Sequence, residues 1–510
     1  MSIRTYSAAI TGIDATLIEV EVDSTPGLHA FSIVGLPDKA VEESKERIAS
    51  AIRNNALVPP SAKHKKIIIN LAPADIRKEG PAYDLPIAVG YLLETDQIKF
   101  DTRKKVFLGE LSLDGSLKPV PGVLAAALMA KDLGFEEIIV PEANAQEAAI
   151  VSELSVIGIK DINELIGHLN GINPLQPVIF KEFNDGTASD GEAYRLIKGQ
   201  ETAKRGLIVA AAGGHNIIMS GPPGSGKTLL ARALIDLMPP LSFQEAVEVT
   251  KIYSVAGSQK SALMSLRPFR NPHHTTSAPA MVGGGSSPRP GEISMAHRGV
   301  LFLDELPEFP RSVLESLREP LEEGAITVSR TAGSLRLPAK FTLAAAMNPC
   351  PCGNYGSQGL ACICSPANVM RYRKKISGPL LDRIDIQITV PRETATLEQE
   401  PLPAIRFNEI RTMIAQARST QQERFKGAGI FTNAEINYKN IDRWCVLAPS
   451  AEQQLQQAVQ TKGLSLRSYH KIKKLSRTIA DLAGLETIQD NHIHEAISLN
   501  ASDRILAEFA

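Results

Sequence analysis

The sequence contains 510 residues with a formal net charge of −1, 43% hydrophobic residues and five cysteines, a composition typical of ordinary globular proteins. It has no run of about 18 or more uncharged apolar residues, which excludes a membrane-spanning protein, and its first residues lack the apolar core of a signal peptide. We therefore expect a cytoplasmic chain of about three domains, in which nucleic-acid binding could come only from local basic surfaces.

Residues 1–170 alternate short apolar strands with helices. The predicted strands are Thr16–Val22, Lys66–Asn70 and Glu137–Val140, and the predicted helices are Ala40–Asn54 and Val123–Leu133. This alternation predicts a first domain that combines both kinds of element. A polar stretch then indicates a linker at 171–192.

A phosphate-binding loop follows the linker. Its residues match G-x-x-x-x-G-K-[ST] and are Gly221, Pro222, Pro223, Gly224, Ser225, Gly226, Lys227 and Thr228. The loop lies between a predicted buried strand, Asn216–Ser220, and a predicted helix, Leu229–Ile235. Glycines let backbone N–H groups surround a phosphate, and a helix N-terminus adds partial positive charge. We expect Lys227 to reach the β- and γ-phosphates of ATP and Thr228 to hold Mg²⁺.

A second predicted strand supplies carboxylates. Four consecutive apolar residues precede Asp304 and Glu305, which is typical of a parallel strand that is buried on both faces and ends at the nucleotide edge. We expect Asp304 to bind Mg²⁺ and Glu305 to orient or activate the attacking water. Together with the phosphate-binding loop, this strand predicts ATP hydrolysis.

Two further segments are predicted to project from this core. The interval between Thr228 and Asp304 contains a glycine- and proline-rich stretch around Arg289, which indicates a loop. Residues Ala325–Lys340 have a strand-like alternating pattern on both sides of a predicted turn at 331–334. This pattern predicts a hairpin.

Four of the five cysteines lie close together in the sequence: Cys350, Cys352, Cys362 and Cys364. In a cytosolic chain such a cluster suggests a metal site more than disulfides. Four thiolates in two close pairs suit tetrahedral Zn²⁺, although C-x-C is tighter than the usual C-x-x-C. The alternative is a set of unligated loop thiols.

A basic run follows the cysteines and consists of Arg371, Arg373, Lys374 and Lys375 with one tyrosine. It suits a phosphate backbone and a stacked base, and a solvated basic loop is the alternative. Residues 396–510 have helical spacing and no strand pattern, so they predict helices alone.

The order of these motifs resembles that of AAA+ ATPases. More specifically, nearly the whole chain resembles the YifB/ComM family of magnesium-chelatase-like AAA+ proteins. The matching stretches are Ser32–Asp38, Gly213–Asn216, Pro272–Thr275, Gly283–Ser294, Asn348–Gly353 and Leu466–His470. The resemblance implies an α/β fold: a P-loop three-layer α/β/α core at 193–395, with a helix-2 insertion and a pore hairpin, followed by a C-terminal helical lid at 396–510. The cysteine cluster would form a zinc-binding insertion within this core.

The resemblance also implies roles for individual residues. Asn348 would be sensor 1, Arg383 an arginine finger inserted into a neighbouring subunit's site, and Arg467 sensor 2. Because a finger acts on a neighbour, hydrolysis requires a ring, and a hexamer is the family expectation. In related helicases the two projecting loops face a central pore and grip DNA, which makes candidates of Arg289, Arg330, Arg336 and Lys340.

The first domain resembles the proteolytic domain of Lon proteases, an α+β fold of the ribosomal protein S5 domain 2-like type. That domain uses a serine–lysine dyad, but Ala82 stands at the serine position and Leu124 at the lysine position. Neither side chain can act as a nucleophile or a base. We therefore expect a protease fold without activity, kept for assembly or partner binding.

Two functions stay open at this point. One is an ATP-driven motor that acts on single-stranded or branched DNA, as a helicase or branch-migration factor in recombination during natural transformation. The alternative is a magnesium-chelatase-type ATPase that remodels a protein partner. An ATP-dependent protease conflicts with Ala82 and Leu124, and a non-motor scaffold conflicts with the set of ATPase residues.

Overall fold

The computed structural model describes residues 3–62, 64–181, 190–259, 261–284, 289–330, 333–356, 361–392 and 401–500. The strands are β1 (Ile3–Thr11), β2 (Asp14–Pro26), β3 (Ala30–Val34), β4 (Lys65–Ala72), β5 (Lys105–Phe107), β6 (Glu110–Leu111), β7 (Leu117–Lys118), β8 (Glu137–Pro141), β9 (Ser155–Ile159), β10 (Ile217–Ser220), β11 (Phe269–Arg270), β12 (Gly283–Gly284), β13 (Arg289–Pro290), β14 (Val300–Leu303), β15 (Ala325–Arg330), β16 (Gly333–Pro338), β17 (Thr342–Met347) and β18 (Ile386–Thr389). The helices are α1 (Lys39–Asn54), α2 (Asp84–Glu94), α3 (Val123–Asp132), α4 (Glu142–Ala148), α5 (Ile162–Leu169), α6 (Glu192–Arg195), α7 (Glu201–Gly213), α8 (Lys227–Leu237), α9 (Phe243–Val255), α10 (Ala278–Val282), α11 (Glu292–Met295), α12 (Arg311–Ser316), α13 (Arg318–Glu323), α14 (Pro366–Arg373), α15 (Gly378–Leu381), α16 (Ala404–Arg424), α17 (Ile441–Trp444), α18 (Pro449–Lys462), α19 (Leu466–Leu482) and α20 (Asp490–Leu499).

The chain divides into two compact units. The first contains residues 1–184, 243–265 and 287–290, and the second contains 185–242, 266–286 and 291–510. This division differs from the segments predicted from sequence, because residues 243–265 follow the phosphate-binding loop yet belong to the first unit.

A seven-stranded sheet in the order β3-β4-β2-β1-β5-β8-β9 forms the centre of the first unit. Strands β1 and β4 pair antiparallel with β2, and the other neighbours pair parallel. Alternate side chains of β4, namely Ile67, Ile69 and Leu71, are buried, as expected when one face of a strand meets a core. The predicted strands of residues 1–170 lie within β2, β4 and β8, and the predicted helices coincide with α1 and α3 to within a residue.

Helix α9 belongs to the first unit through its contacts with α3. The amide of Gly122, directly before α3, donates to Ser254 O at 3.3 Å and to Ser254 Oγ at 3.0 Å. Ser254 Oγ in turn donates to the buried carboxylate of Glu147, which also accepts from the Leu124 amide at 2.8 Å. A buried polar network therefore fixes α9 to α3 and α4.

A five-stranded parallel sheet in the order β11-β14-β17-β10-β18 forms the centre of the second unit. Strands β10, β14 and β17 are buried along their whole length. Their sequences are accordingly apolar except for Ser220 at the end of β10 and Thr342 at the start of β17. The carboxyl ends of parallel strands meet at one edge of a sheet. The residues that follow β10, β14 and β17 are consequently brought together there.

The regular elements described between residues 401 and 500 are helices. Helix α19 packs against α7, α16 and α20, and its apolar residues Leu475 and Ile479 join the core that surrounds the parallel sheet. None of the helices in the described ranges combines the length and the apolar character needed to cross a bilayer.

Candidate nucleotide-binding site

The phosphate-binding loop joins β10 to α8, and Lys227 is its central cation. The Lys227 ammonium is buried and donates to Gly221 O at 2.7 Å and to Pro222 O at 2.9 Å. It also lies 3.3 Å from Asn348 Oδ1, at the end of β17. Burial lowers the pKa of Lys227, while Asp304 and Glu305 act in the opposite direction. Carbonyls thus hold the ammonium within the loop.

Glycines in the loop are required by its backbone. Gly224 and Gly226 have φ of 77° and 86°, a region that side chains with a Cβ rarely adopt. Gly221 lies outside this φ region, but a side chain there would collide with the carbonyl of Val390 at the end of β18. The motif glycines therefore shape the loop and allow β18 to approach it.

A hydroxyl and a carboxylate meet beside the loop. Thr228 Oγ1 donates to Asp304 Oδ2 at 3.1 Å, and the Glu305 amide donates to Asp304 Oδ1 at 2.9 Å. Glu305 has φ of 53°, so the chain turns sharply straight after β14. Hydroxyl and carboxylate oxygens are the ligands that Mg²⁺ prefers, and Thr228 and Asp304 fit that ion together.

His274 contacts Glu305, and no role was predicted for it. Its Nδ1 lies 3.4 Å from Glu305 Oε2, and its ring meets the ring of Phe309 edge to face at 6.5 Å. The contact exists because β11, which precedes His274, is the sheet neighbour of β14. The available sequence signal was the adjacent pair His273 and His274 in a segment that resembles the family.

The two arginines assigned to catalysis meet at Glu322. Arg383 Nη1 donates to Pro379 O at 2.7 Å, and its Nη2 pairs with Glu322. Arg467 lies 3.8 Å from Glu322 and 3.9 Å from Asp382. The hydrogen bond from Arg383 lowers the pKa of Glu322. Within the described residues, neither arginine has a polar contact with the phosphate-binding loop.

Asn216, directly before β10, holds the backbone of Arg383. Its Nδ2 donates to Arg383 O at 3.0 Å, and its Oδ1 accepts from the Leu343 amide at 2.8 Å. Neighbouring His215 contacts Asp385 at 3.0 Å. These contacts connect the start of β10, the strand before the phosphate-binding loop, with the turn that contains Arg383. The connection was not predicted from the sequence.

The predicted DNA-binding residues of the two projecting loops have different surroundings. Arg336 lies on β16 with its side chain exposed and 3.7 Å from Glu323. Lys340, beyond the end of β16, is 3.3 Å from Glu435 and 5.9 Å from the ring centre of Phe431. The side chains of Arg289 and Arg330 lie outside the described part of the structure. The hairpin itself is present as β15 paired with β16.

The basic run after the cysteines divides into exposed and buried members. Arg371, Lys374 and Lys375 are exposed and line a groove of about 910 Å³, together with Arg311. Arg373 is buried, with its Nε donating to Pro349 O at 3.1 Å. The expectation that Arg373 contacts DNA is corrected, because its guanidinium faces the protein interior.

The four clustered cysteines meet in space. Their sulfur atoms all lie within 4.8 Å of one another, and each of the four is a free thiol. The residues are Cys350, Cys352, Cys362 and Cys364. This set could hold a metal ion, whereas Cys445 is buried elsewhere.

The parallel sheet, the phosphate-binding loop after β10 and the carboxylate strand β14 define a nucleotide-binding protein of the AAA+ class. Residues 193–397 match the family described as magnesium chelatase, subunit ChlI. Residues 20–144 match subunit ChlI of Mg-chelatase, and 406–500 match the ChlI C-terminal family. The chain belongs to the YifB/ComM family of magnesium-chelatase-like AAA+ proteins, and this membership indicates an ATPase.

Similar proteins support this membership over nearly the whole chain. Competence protein ComM of Haemophilus influenzae is 42% identical over 99% of this chain and 98% of that protein. The YifB protein of Salmonella typhimurium is 40% identical over 98% of this chain and 97% of its own length. A Lon protease of Mycolicibacterium smegmatis is 25% identical over 31% of this chain and 21% of that protein.

Proposed function

We propose that this protein is an ATP-driven, ring-forming motor in the cytoplasm that acts on single-stranded or branched DNA. Its task would be helicase activity or branch migration in recombination during natural transformation. The observation that carries the motor proposal is the separation of the catalytic groups. Lys227, Thr228, Asp304 and Asn348 meet at one sheet edge, whereas Arg383 pairs with Glu322.

The separated arginines favour a ring. In this proposal Arg383 is a finger that completes the site of a neighbouring subunit, with Asn348 as sensor 1 and Arg467 as sensor 2. Fingers of this kind raise hydrolysis by about 10³–10⁵-fold, so an isolated subunit would be nearly inactive. A hexamer is the proposed ring.

ATP and Mg²⁺ are the proposed cofactors. The loop 221–228 would bind the phosphates, with Lys227 directed at the β- and γ-phosphates. Thr228 and Asp304 would hold Mg²⁺, which offsets phosphate charge when it is bound. Glu305 would accept a proton from the attacking water, since its carboxylate follows β14 at the same edge.

The proposed domain organisation follows the family resemblance. Residues 1–170 would form a Lon-protease-like domain without its dyad, and 171–192 a linker. The AAA+ core would span 193–395, with residues 243–265 packed in the first unit, and residues 396–510 would form a helical lid. Leu124, at the position of the Lon lysine, is buried in α3, which is consistent with a structural part for this domain.

DNA as the partner is supported by two observations. The Haemophilus relative is named a competence protein, which agrees with the proposed part in natural transformation. The second unit also presents exposed cations at Arg336 on the hairpin and at Arg371 and Lys374 along the groove, where Lys375 is exposed as well but pairs with Glu308 at 3.1 Å. Exposed lysines and arginines suit contacts with the phosphates of DNA, and such contacts do not depend on the base sequence.

The alternative is a chelatase-type ATPase that remodels a protein partner. The observation in its favour is that three stretches of the chain match families described by the magnesium chelatase subunit ChlI. Fold and ATPase chemistry are shared by both functions. They differ in whether DNA changes the rate of hydrolysis.

The deciding experiment measures ATP hydrolysis by the purified full-length protein with and without single-stranded and branched DNA. Sizing runs alongside, and Glu305→Gln serves as the inactive control. A DNA motor predicts stimulation by DNA in a ring-sized species. Hydrolysis that is intact but indifferent to DNA would overturn the DNA proposal and favour the chelatase-type function.

A further inference from the structure

The sulfur atoms of the four clustered cysteines have the spacing of ligands around one ion. The Sγ–Sγ distances are 3.3 Å between Cys350 and Cys352, and 3.7 Å and 3.6 Å from these two to Cys362. Cys364 completes the group within 4.8 Å. A tetrahedron with Zn–S bonds of about 2.3 Å has edges of about 3.8 Å. The spacing therefore fits a single tetrahedral zinc ion.

Other states of the thiols fit less well. A disulfide requires sulfurs at about 2.05 Å, and no pair among the four is bonded. An iron–sulfur cluster would need wider separations, because several irons and sulfides must fit between the thiolates. Four protein ligands also leave no open position for water, which is typical of a structural rather than a catalytic zinc site.

Arg373 provides an independent observation beside the thiols. Its guanidinium is buried, donates to Pro349 O at 3.1 Å and lies 5.0 Å over the ring of Tyr355. Nη1 of Arg373 is buried without a hydrogen-bond partner, and no acidic residue pairs with Arg373 among those the structure describes. A buried cation without a counter-charge is costly. Four thiolates around Zn²⁺ carry a net double negative charge and would supply that counter-charge next to Pro349.

The segment Asn348–Gly353, called the cysteine segment below, carries Cys350 and Cys352 and is continuous with the nucleotide site. Cys350 follows Asn348 by two residues, and Asn348 Oδ1 is 3.3 Å from Lys227 Nζ. Gly353, with φ of 81°, lies so close to Pro223 of the phosphate-binding loop that a side chain would collide with the proline ring. Whatever fixes the cysteine segment thus also supports two parts of the ATP site.

We propose that Cys350, Cys352, Cys362 and Cys364 bind one zinc ion, and that this ion holds the segment that supports Asn348 and the phosphate-binding loop. Binding of the ion displaces the thiol protons. Nucleotide affinity then depends on zinc occupancy, although zinc takes no part in hydrolysis. This inference is independent of whether the motor acts on DNA.

The site is tested by metal analysis of the full-length protein purified without chelator. We expect about one zinc ion per chain, loss of that zinc in Cys352→Ser, and its retention in Cys445→Ser, the matched control. Cobalt in place of zinc should give the intense visible absorption of a tetrahedral thiolate site. Protein that neither contains zinc nor takes up cobalt overturns the metal site.

Two further measurements test the surroundings of the ion. Arg373→Gln removes the buried positive charge that lies next to Pro349 and is expected to weaken zinc binding by about tenfold, the lower end of the effect of changing groups around metal ligands. Chelator dialysis of the wild type should weaken binding of a fluorescent ATP analogue by tenfold or more, and returned zinc should restore it. Because this second arm uses unchanged protein, misfolding of a variant cannot explain the result. Unchanged nucleotide affinity in the zinc-free protein would overturn the coupling.

Discussion

His274 Nδ1 lies 3.4 Å from Glu305 Oε2. A carboxylate that activates water must be held in one orientation, and small displacements of catalytic groups cost about tenfold to a hundredfold in rate. We expect His274→Ala to lower kcat for ATP hydrolysis within that range and to leave KM for ATP unchanged, because Lys227 and Thr228 are untouched. His273→Ala is the neighbouring comparison: His273 Nδ1 contacts Thr275 at 2.8 Å and its ring lies 4.1 Å from that of His274, so this variant should lower kcat less than His274→Ala. A parallel rise in KM would contradict this role.

The hydroxyl of Thr228, which lies 3.1 Å from Asp304 Oδ2, leads to a prediction about Mg²⁺. A hydrogen bond or ligand contact to a charged group contributes about 1.5 kcal/mol, so Thr228→Ala should raise the Mg²⁺ concentration for half-maximal hydrolysis by about tenfold. Thr228→Ser keeps the hydroxyl and should behave like the wild type. The measurement is a Mg²⁺ titration at saturating ATP, and equal requirements in the two variants would count against a magnesium role for Thr228.

Arg383, held by Glu322 and by Pro379 O, leads to a complementation experiment. If it acts on a neighbouring subunit, Arg383→Ala and Glu305→Gln should each hydrolyse ATP at least about 10³-fold more slowly than the wild type. A mixture of the two should regain activity, because subunits with an intact Arg383 then face subunits with an intact Glu305. Mixing Arg383→Ala with the double variant is the control. No recovery in mixed rings would refute action in trans.

Arg336 and Lys340 should respond differently to salt if only the first contacts DNA. Arg336 is exposed on the hairpin and lies 3.7 Å from Glu323, whereas Lys340 pairs more closely with Glu435, at 3.3 Å, beside Phe431. Removing a phosphate contact makes the dependence of log affinity on log salt shallower by about 1. We expect that change for Arg336→Ala, and we expect Lys340→Ala to leave the slope unchanged. The two slopes are measured by DNA binding at several salt concentrations.

Glu147 gives a prediction about pH. Burial raises its pKa, and the hydrogen bonds from Ser254, the Leu124 amide and Asn144 offset this only in part. The pKa of Glu147 in the folded protein therefore lies above the unfolded value of about 4.3. The stability that protonated Glu147 contributes is complete below the unfolded pKa and is lost as pH rises through the folded pKa. Hydrogen exchange at the start of α3, corrected for the intrinsic rate, should therefore accelerate more with pH in the wild type than in Glu147→Gln. Equal pH dependence would show that Glu147 does not titrate in this way.

Local features of the ATP site could be predicted from sequence. The strand, glycine loop and helix around Lys227 are consecutive, and the cysteine pairs are short-range, so spacing alone identifies them. The contact of Asn216 with Arg383 spans 167 residues and exists because β10 and β18 are neighbours in the sheet. Periodicity gives no strand order, which is why this contact and that of His274 with Glu305 were not anticipated.

The burial of Arg373 could not be predicted for a different physical reason. A run of four cations among five residues is usually solvated, because burying a guanidinium without a partner is unfavourable. Arg373 is the member of α14 that faces Pro349 and Tyr355, whereas Arg371 and Lys374 face outward. Only the orientation of α14 distinguishes them.

The inclusion of residues 243–265 in the first unit means that the two units cannot be separated by one cut. The chain passes between them after residues 184, 242, 265, 286 and 290. A truncation at 184 would remove α3 and leave α9 with its buried residues, Val249 and Ile252, exposed to water. Isolated ATPase fragments should therefore aggregate unless 243–265 is replaced by a short polar bridge. A duplication or exchange of one unit alone would likewise leave residues 243–265 without their packing partners. The two units are therefore expected to be inherited together.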